Sequence, residues 1–260
     1  MWRLISFNLI REVIFVFPSL TLLAGVSLDI ERGAVQGATE WDHLFVRNRN
    51  HFHAQLVELL HESSDIGDEE VESTLLMPGL GLTRVQADDI LRTRHGYRVN
   101  LEIRGAYEGL VSDATFVQLR ADTKAIHRFG DSGRVTGRIQ LGATLGDGAG
   151  DLPASIRFFA GGDNSVCGYK YKSLGPKDKN GDVVGGRHLL TGSIEYEHPV
   201  FGDDWWVGVF ADAGNAFDTD EITLRAGYGL GVRWYSPVGR LRVDVAFPDD
   251  TEKDQWRLHI

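Results

Sequence analysis

The stretch 97-YRVNLEIRGAYE-108 decides the fold. Tyr97, Val99, Leu101, Ile103 and Tyr107 share one side of an extended chain, and Arg98, Asn100, Glu102, Arg104 and Glu108 share the other. This period of two is that of a strand with one apolar and one polar face. It recurs in 134-RVTGRIQLGATL-145, where Val135, Ile139, Leu141, Ala143 and Leu145 oppose Arg134, Thr136, Arg138, Gln140 and Thr144. Leu224, Ala226, Tyr228, Leu230, Val232 and Trp234 oppose Arg225, three glycines and Arg233. Leu241, Val243, Val245 and Phe247 oppose Arg240, Arg242 and Asp244, and the last segment sets Trp256, Leu258 and Ile260 against Gln255, Arg257 and His259. Turn signals such as 130-GDSG-133 and 236-SPVG-239 separate the runs.

About eleven such segments are expected, many near the ~9–11 residues with which a tilted strand crosses a bilayer. The pattern admits a soluble antiparallel sandwich with a wet outer face or a membrane barrel with lipid outside and a polar lumen. Mixed charges on the polar face and aromatics toward strand ends (Trp205, Trp206, Trp234, Tyr235, Phe247) favour the barrel. Residues 31–95 are harder to read. FHAQLVELLHE (52–62) could pass for a helix, and VQADDILRTR (85–94) reads as a loop with a helical turn.

Composition narrows the function. With 260 residues, 31 glycines, 7 prolines and a tenth of the residues aromatic, the chain suits strands and turns. A net charge of −10 leaves no basic stripe for nucleic acid. One cysteine excludes a disulfide framework. No run of eighteen or more uncharged apolar residues is present, which argues against a transmembrane helix and not against a barrel. The start passes for a poor signal segment, interrupted by Arg11 and Glu12, and alternation sets in near Ser19. Residues 1–18 are therefore expected to be a remnant or signal-like segment, and 19–260 a barrel domain.

Chemical motifs are few. His51 and His53 share a strand face near His43 and His61, but two ligands fall short of the three or four that zinc takes. The run 178-DKNGDVVGGRHL-189 opens like a calcium loop, yet Val183 stands at the glycine position and Leu189 at the bidentate acid position. Ser165 and Cys167 have no neighbouring base, His188 being the nearest histidine in sequence. No metal, cofactor or covalent catalysis is expected.

The long insertion carries the most specific signal. Its core, FFAGGDNSVCGYKYKSLGP, resembles the signature of the bacterial surface-antigen barrel superfamily, outer-membrane proteins that insert or export other proteins. That family's hallmark is a long loop folded back into the lumen and tipped by Val/Ile-Arg-Gly-Phe/Tyr; here the tip reads Val166-Cys167-Gly168-Tyr169. The flanks FFAGGD, with Gly161, Gly162 and Asp163, and GYKYKS resemble the TamA branch, the barrel subunit of the translocation and assembly module. 192-GSIEYEHPV-200, 205-WWVGVFADAGNAFD-218 and 227-GYGLGVRWYSPVGRLRVDVAFP-248 resemble the strands after the loop.

The resemblance implies a transmembrane antiparallel up-and-down β-barrel of about 11–12 strands, part of a roughly 16-strand family barrel, with a lumen loop near 150–186. It implies outer-membrane localisation, lipid and client outer-membrane proteins or autotransporters as partners, and a periplasm-spanning TamB-like subunit. The alternatives are a two-partner-secretion pore or a non-functional barrel fragment. In the family the tip arginine reaches acidic residues on the next two strands, which alternation places here at Glu195 and Asp212. Cys167 stands at the arginine position, so both carboxylates are expected to lack a guanidinium and Cys167→Arg to improve anchoring. The family's periplasmic POTRA domains have no counterpart in residues 1–95, and the chain reads as truncated at both ends.

Overall fold

A computed structural model of the chain describes residues 15–17, 20–29, 34–42, 48–66, 69–89, 93–109, 112–130, 133–146, 152–202, 204–218, 222–236, 239–249 and 256–259, with side-chain burial from Leu75 onward. Thirteen described strands form one sheet in strict sequence order, each antiparallel to its neighbours. They are β1 (Phe15–Phe17), β2 (Leu20–Asp29), β3 (Ala34–Asp42), β4 (Asn48–Ile66), β5 (Glu69–Ala87), β6 (His95–Ala106), β7 (Phe116–Phe129), β8 (Gly133–Leu145), β9 (His188–Phe201), β10 (Trp205–Phe217), β11 (Arg225–Ser236), β12 (Gly239–Pro248) and β13 (Arg257–His259). Apart from Phe15–Phe17, residues 1–18 lie outside the described residues. Among the described residues no pairing joins β13 to β1.

Strands β6 to β12 hold 10 to 14 residues each. At about 3.3 Å per residue and a tilt near 40°, such strands cross the ~25 Å apolar band of an outer membrane. Burial is inverted relative to a soluble sheet. Leu119, Ile139, Leu141, Ile194, Val209, Leu230, Val232 and Val243 are exposed on the outer face, while Gln118, Arg134, Glu195, Glu197, Asp212, Arg233 and Asp244 are buried on the inner one. This is the arrangement of a lipid-facing barrel and removes the soluble sandwich, whose interior would be apolar. Trp205 and Trp234, directly paired across β10 and β11, stack at 5.7 Å beside the short turns. Tyr228 and Phe247 stack at 5.9 Å toward the other end, as interfacial aromatics do.

The connections at 130–132, 202–204 and 237–238 fall at one end of the sheet, and the insertion at 146–187 falls at the other. Residues 52–62 are strand, not helix, and 85–87 finish β5; residues 90–92 of the expected loop lie outside the described residues. A register shift between Gln55 and Glu58 explains the misreading. A bulge moves later residues to the opposite face, which turns alternation into a spacing that resembles helical periodicity. Glu69–Met77 of β5 pair with β4 beyond the reach of β6, whose pairing starts at Gly79. There Leu75 and Met77 pack with Ala106, Ala114, Phe116, Leu152 and Ile156, a small apolar core under the start of the insertion. His43 and the side chains of His51, His53 and His61 lie outside the described residues.

Candidate functional site

The insertion turns inward and packs against the inner face of the sheet. Two-way backbone hydrogen bonds link Phe158 with Gly186 and Ala160 with Leu174, so its two limbs form a narrow ribbon. Phe158, Ala160, Val166 and Leu174 bury against Leu189 of β9 and Ala216 of β10, with Tyr169 at the edge. Val166 is wholly enclosed. Ser165 Oγ accepts the Gly161 N–H at 2.7 Å, and the Gly162 N–H reaches the Val166 carbonyl at 3.2 Å, closing the turn before the tip. The calcium-like run is a local turn, since Asp178 Oδ1 accepts the N–H groups of Asn180 (2.9 Å) and Asp182 (2.8 Å).

The tip docks on the last strands. Cys167 donates its backbone N–H to Asp212 Oδ2 on β10 at 3.0 Å. Gly168 donates to His259 Nε2 of β13 at 3.4 Å, and its carbonyl accepts Arg257 Nε at 3.0 Å. His259 Nδ1 bonds the Asp163 carboxylate, and the Tyr169 hydroxyl bonds Asp249. This closeness depends on glycine. Gly168 has φ +88°, and a Cβ there would lie 2.8 Å from the Pro248 nitrogen. A Cβ on Gly227 would lie 2.0 Å from the Cys167 carbonyl oxygen. The glycines on the inner face of β11 thus leave the floor on which the tip lies.

Glu195 and Asp212 both face inward and are buried, 9% and 3% exposed. Glu195 is not left without a guanidinium, contrary to the expectation from the sequence. Arg233 of β11 approaches it with Nε at 2.8 Å and Nη2 at 2.5 Å, reaches Glu197 with Nε at 3.2 Å, and bonds Asp244 through Nη1. Arg134 of β8 meets the far side of Glu197 with Nε at 2.9 Å and touches the Tyr235 hydroxyl, while Arg242 lies 2.8 Å from Asp244. Arg233, Glu197 and Asp244 are wholly buried. Three carboxylates and three guanidiniums therefore interlock without the tip, and Asp212 is met by the tip's backbone rather than by its side chain. Buried charges of this kind need such mutual satisfaction.

Cys167 is 2% exposed, its Sγ 3.9 Å from the Asp163 carbonyl. Burial, and then the Asp212 carboxylate, push its thiol well above the ordinary range, which makes it a neutral packing group. Among the described residues no cluster of His, Cys, Asp and Glu is arranged to hold a metal ion. Arg233 and Arg134 were the functional side chains that residue reading missed. Their signal was an arginine on the glycine-lined face of one strand and another opposite an acid-rich strand.

Comparison with known proteins places these features. The profile of the Omp85 superfamily domain matches residues 15–260. The outer membrane protein assembly factor BamA of Nitratidesulfovibrio vulgaris is 33% identical over 150 residues, which are 55% of this chain and 19% of that protein. BamA of Neorickettsia risticii is 29% identical over 174 residues, 61% of this chain and 23% of its own length. The matched part is thus about a quarter or less of these relatives. The crystal structure of BamA from Haemophilus ducreyi lacking POTRA domains 1–3 superposes with a TM-score of 0.64 at 15% identity, covering 92% of this chain and 60% of that one.

Proposed function

The chain belongs to the Omp85 superfamily and is an outer-membrane β-barrel protein, and from that membership we propose that it helps insert or export other outer-membrane proteins. The observation that carries this reading is the clasp between loop tip and last strands. All three described residues of β13 pair with β12, as Asp244–His259, Val245–Leu258 and Ala246–Arg257. Its side chains Arg257 and His259 are held in addition by Gly168 and Asp163 of the loop. A strand pinned from within by the loop and, among the described residues, paired on one side only is suited to accept the strand of a client. Backbone N–H and C=O groups in lipid must find partners, and an incoming strand supplies them.

The loop flanks resemble the TamA branch, so autotransporters and other β-barrels are the proposed clients and a TamB-like subunit the proposed partner. The test is folding of an urea-unfolded client barrel into liposomes, with and without the reconstituted chain, followed by gel mobility of unheated samples. Faster client folding supports the reading. A properly folded chain that leaves client folding at the empty-liposome rate while conducting ions would favour a secretion pore.

A further inference from the structure

We propose that the cavity between the inserted loop and the inner wall is a binding site for a small soluble phosphate-bearing ligand. This goes beyond client insertion and does not depend on it. The cavity has a volume of about 910 Å³ and is walled by Arg120, Arg157, Lys170, Lys172 and Arg257, with Asp163 the one acidic residue in its lining. In a chain of net charge −10, five cations around one space are a strong local reversal. Asp163 is already engaged by His259, and Asp122 at the edge is engaged by Arg120 (2.9 Å) and Gln140 (2.8 Å).

The three arginines and Lys172 are positioned rather than loose. Each arginine is anchored through Nε: Arg120 on Asp122, Arg157 on the Leu152 carbonyl at 2.8 Å, and Arg257 on the Gly168 carbonyl at 3.0 Å. That fixes planar guanidiniums, the groups that hold phosphate by paired hydrogen bonds. Lys172 is the only described non-glycine residue with left-handed backbone, φ 56°. Its ammonium stands over the rings of Phe159 (4.9 Å) and Tyr171 (5.6 Å). A long side chain kept at a disfavoured backbone angle in a cavity wall points to a role for that wall. Phe159 and Tyr171 line the space beneath that ammonium, so the cations and not the rings face a ligand. Five cations around one space define the ligand class as a compound carrying phosphate. The site lies on the inner side of the sheet, with the exposed Trp256 and Leu258 of the last segment at its rim.

The full chain folded in detergent is titrated calorimetrically with glucose 1,6-bisphosphate, and with glucose as the neutral control. Saturable binding of the bisphosphate that weakens as salt rises, with none for glucose, is the expected result. The double variant Lys170→Gln/Lys172→Gln is expected to lose about tenfold or more in affinity, with an unchanged urea midpoint. Lys172→Gly separates strain from binding: it relieves the backbone and still loses affinity. Should the lysine variants fold poorly, Arg120→Gln makes the same comparison from β7. Absence of saturable binding, equal binding of glucose, or an affinity unmoved by these substitutions overturns the proposal.

Discussion

Replacing Arg233 by methionine probes the centre of the lumen network. The substitution keeps most of the volume and removes the one guanidinium shared by Glu195, Glu197 and Asp244. Arg134 still faces Glu197 and Arg242 still faces Asp244, so Glu195 bears most of the loss. Breaking a buried ion pair by removing one partner costs about 3–5 kcal/mol, and the 9% exposure of Glu195 leaves little water to lessen it. Arg233→Met is therefore expected to lower the unfolding free energy by about 3–4 kcal/mol, measured by urea unfolding in detergent with tryptophan fluorescence. Adding Cys167→Arg to this variant completes a double-mutant cycle. If a guanidinium from the tip can replace the one from β11, the double variant recovers at least half of the loss. A loss below about 1 kcal/mol for Arg233→Met would refute the reasoning, because the carboxylates would then be solvated rather than buried.

Further substitutions test the surrounding packing and orientation. Cys167→Arg alone is expected to give no gain in the same unfolding assay, since Glu195 is already paired and a larger side chain must enter a filled site, at about 1–3 kcal/mol. Gly227→Ala places a methyl against the Cys167 carbonyl, a backbone atom that cannot swing aside, and should cost about 2 kcal/mol or displace the tip, read by protease cleavage within the loop. The Cys167 thiol should resist maleimide at pH 8 in the folded protein and react after unfolding. Because its folded pKa is raised, the stability it contributes is full below the ordinary thiol pKa of about 8.5 and fades as pH rises beyond it. Leu230→Arg on the outer face should destabilise the protein in liposomes by about 2–4 kcal/mol, whereas a soluble sheet would accept it at this exposed position.

Strands β6 and β8 to β12 were legible because each keeps a period of two over most of its length, the register shift at Trp205–Trp206 lying at a strand end, and the inverted burial follows from which of the two faces carries charge. β4 was not, because the shift between Gln55 and Glu58 breaks its period within FHAQLVELLHE. Thirteen described strands exceed the eleven or twelve expected, partly because β1 holds three described residues and carries little pattern. The inward placement of Glu195 and Asp212 could be read from alternation alone. Their partners could not, since Arg233 lies 38 residues from Glu195, and Asp212 takes a backbone N–H from 45 residues away. Pairing across such distances is set by register between strands, which no local pattern records. The tip also showed the limit of reading by position. Asp212 needed only the amide of Cys167, a group every residue but proline carries.

The most direct test of the account is the orientation of two neighbouring tryptophans relative to lipid. Trp206 of β10 is 5% exposed on the inner face, where Arg128 lies over its ring, and Trp234 of β11 stands on the outer face, stacked on Trp205. Variants retaining only one or the other are reconstituted into liposomes whose acyl chains carry bromine, a short-range quencher. The account predicts strong quenching of Trp234 and near-native emission from Trp206. Quenching of Trp206 with Trp234 spared, or equal protection of both, would contradict a lipid-facing apolar sheet wrapped around a charged interior.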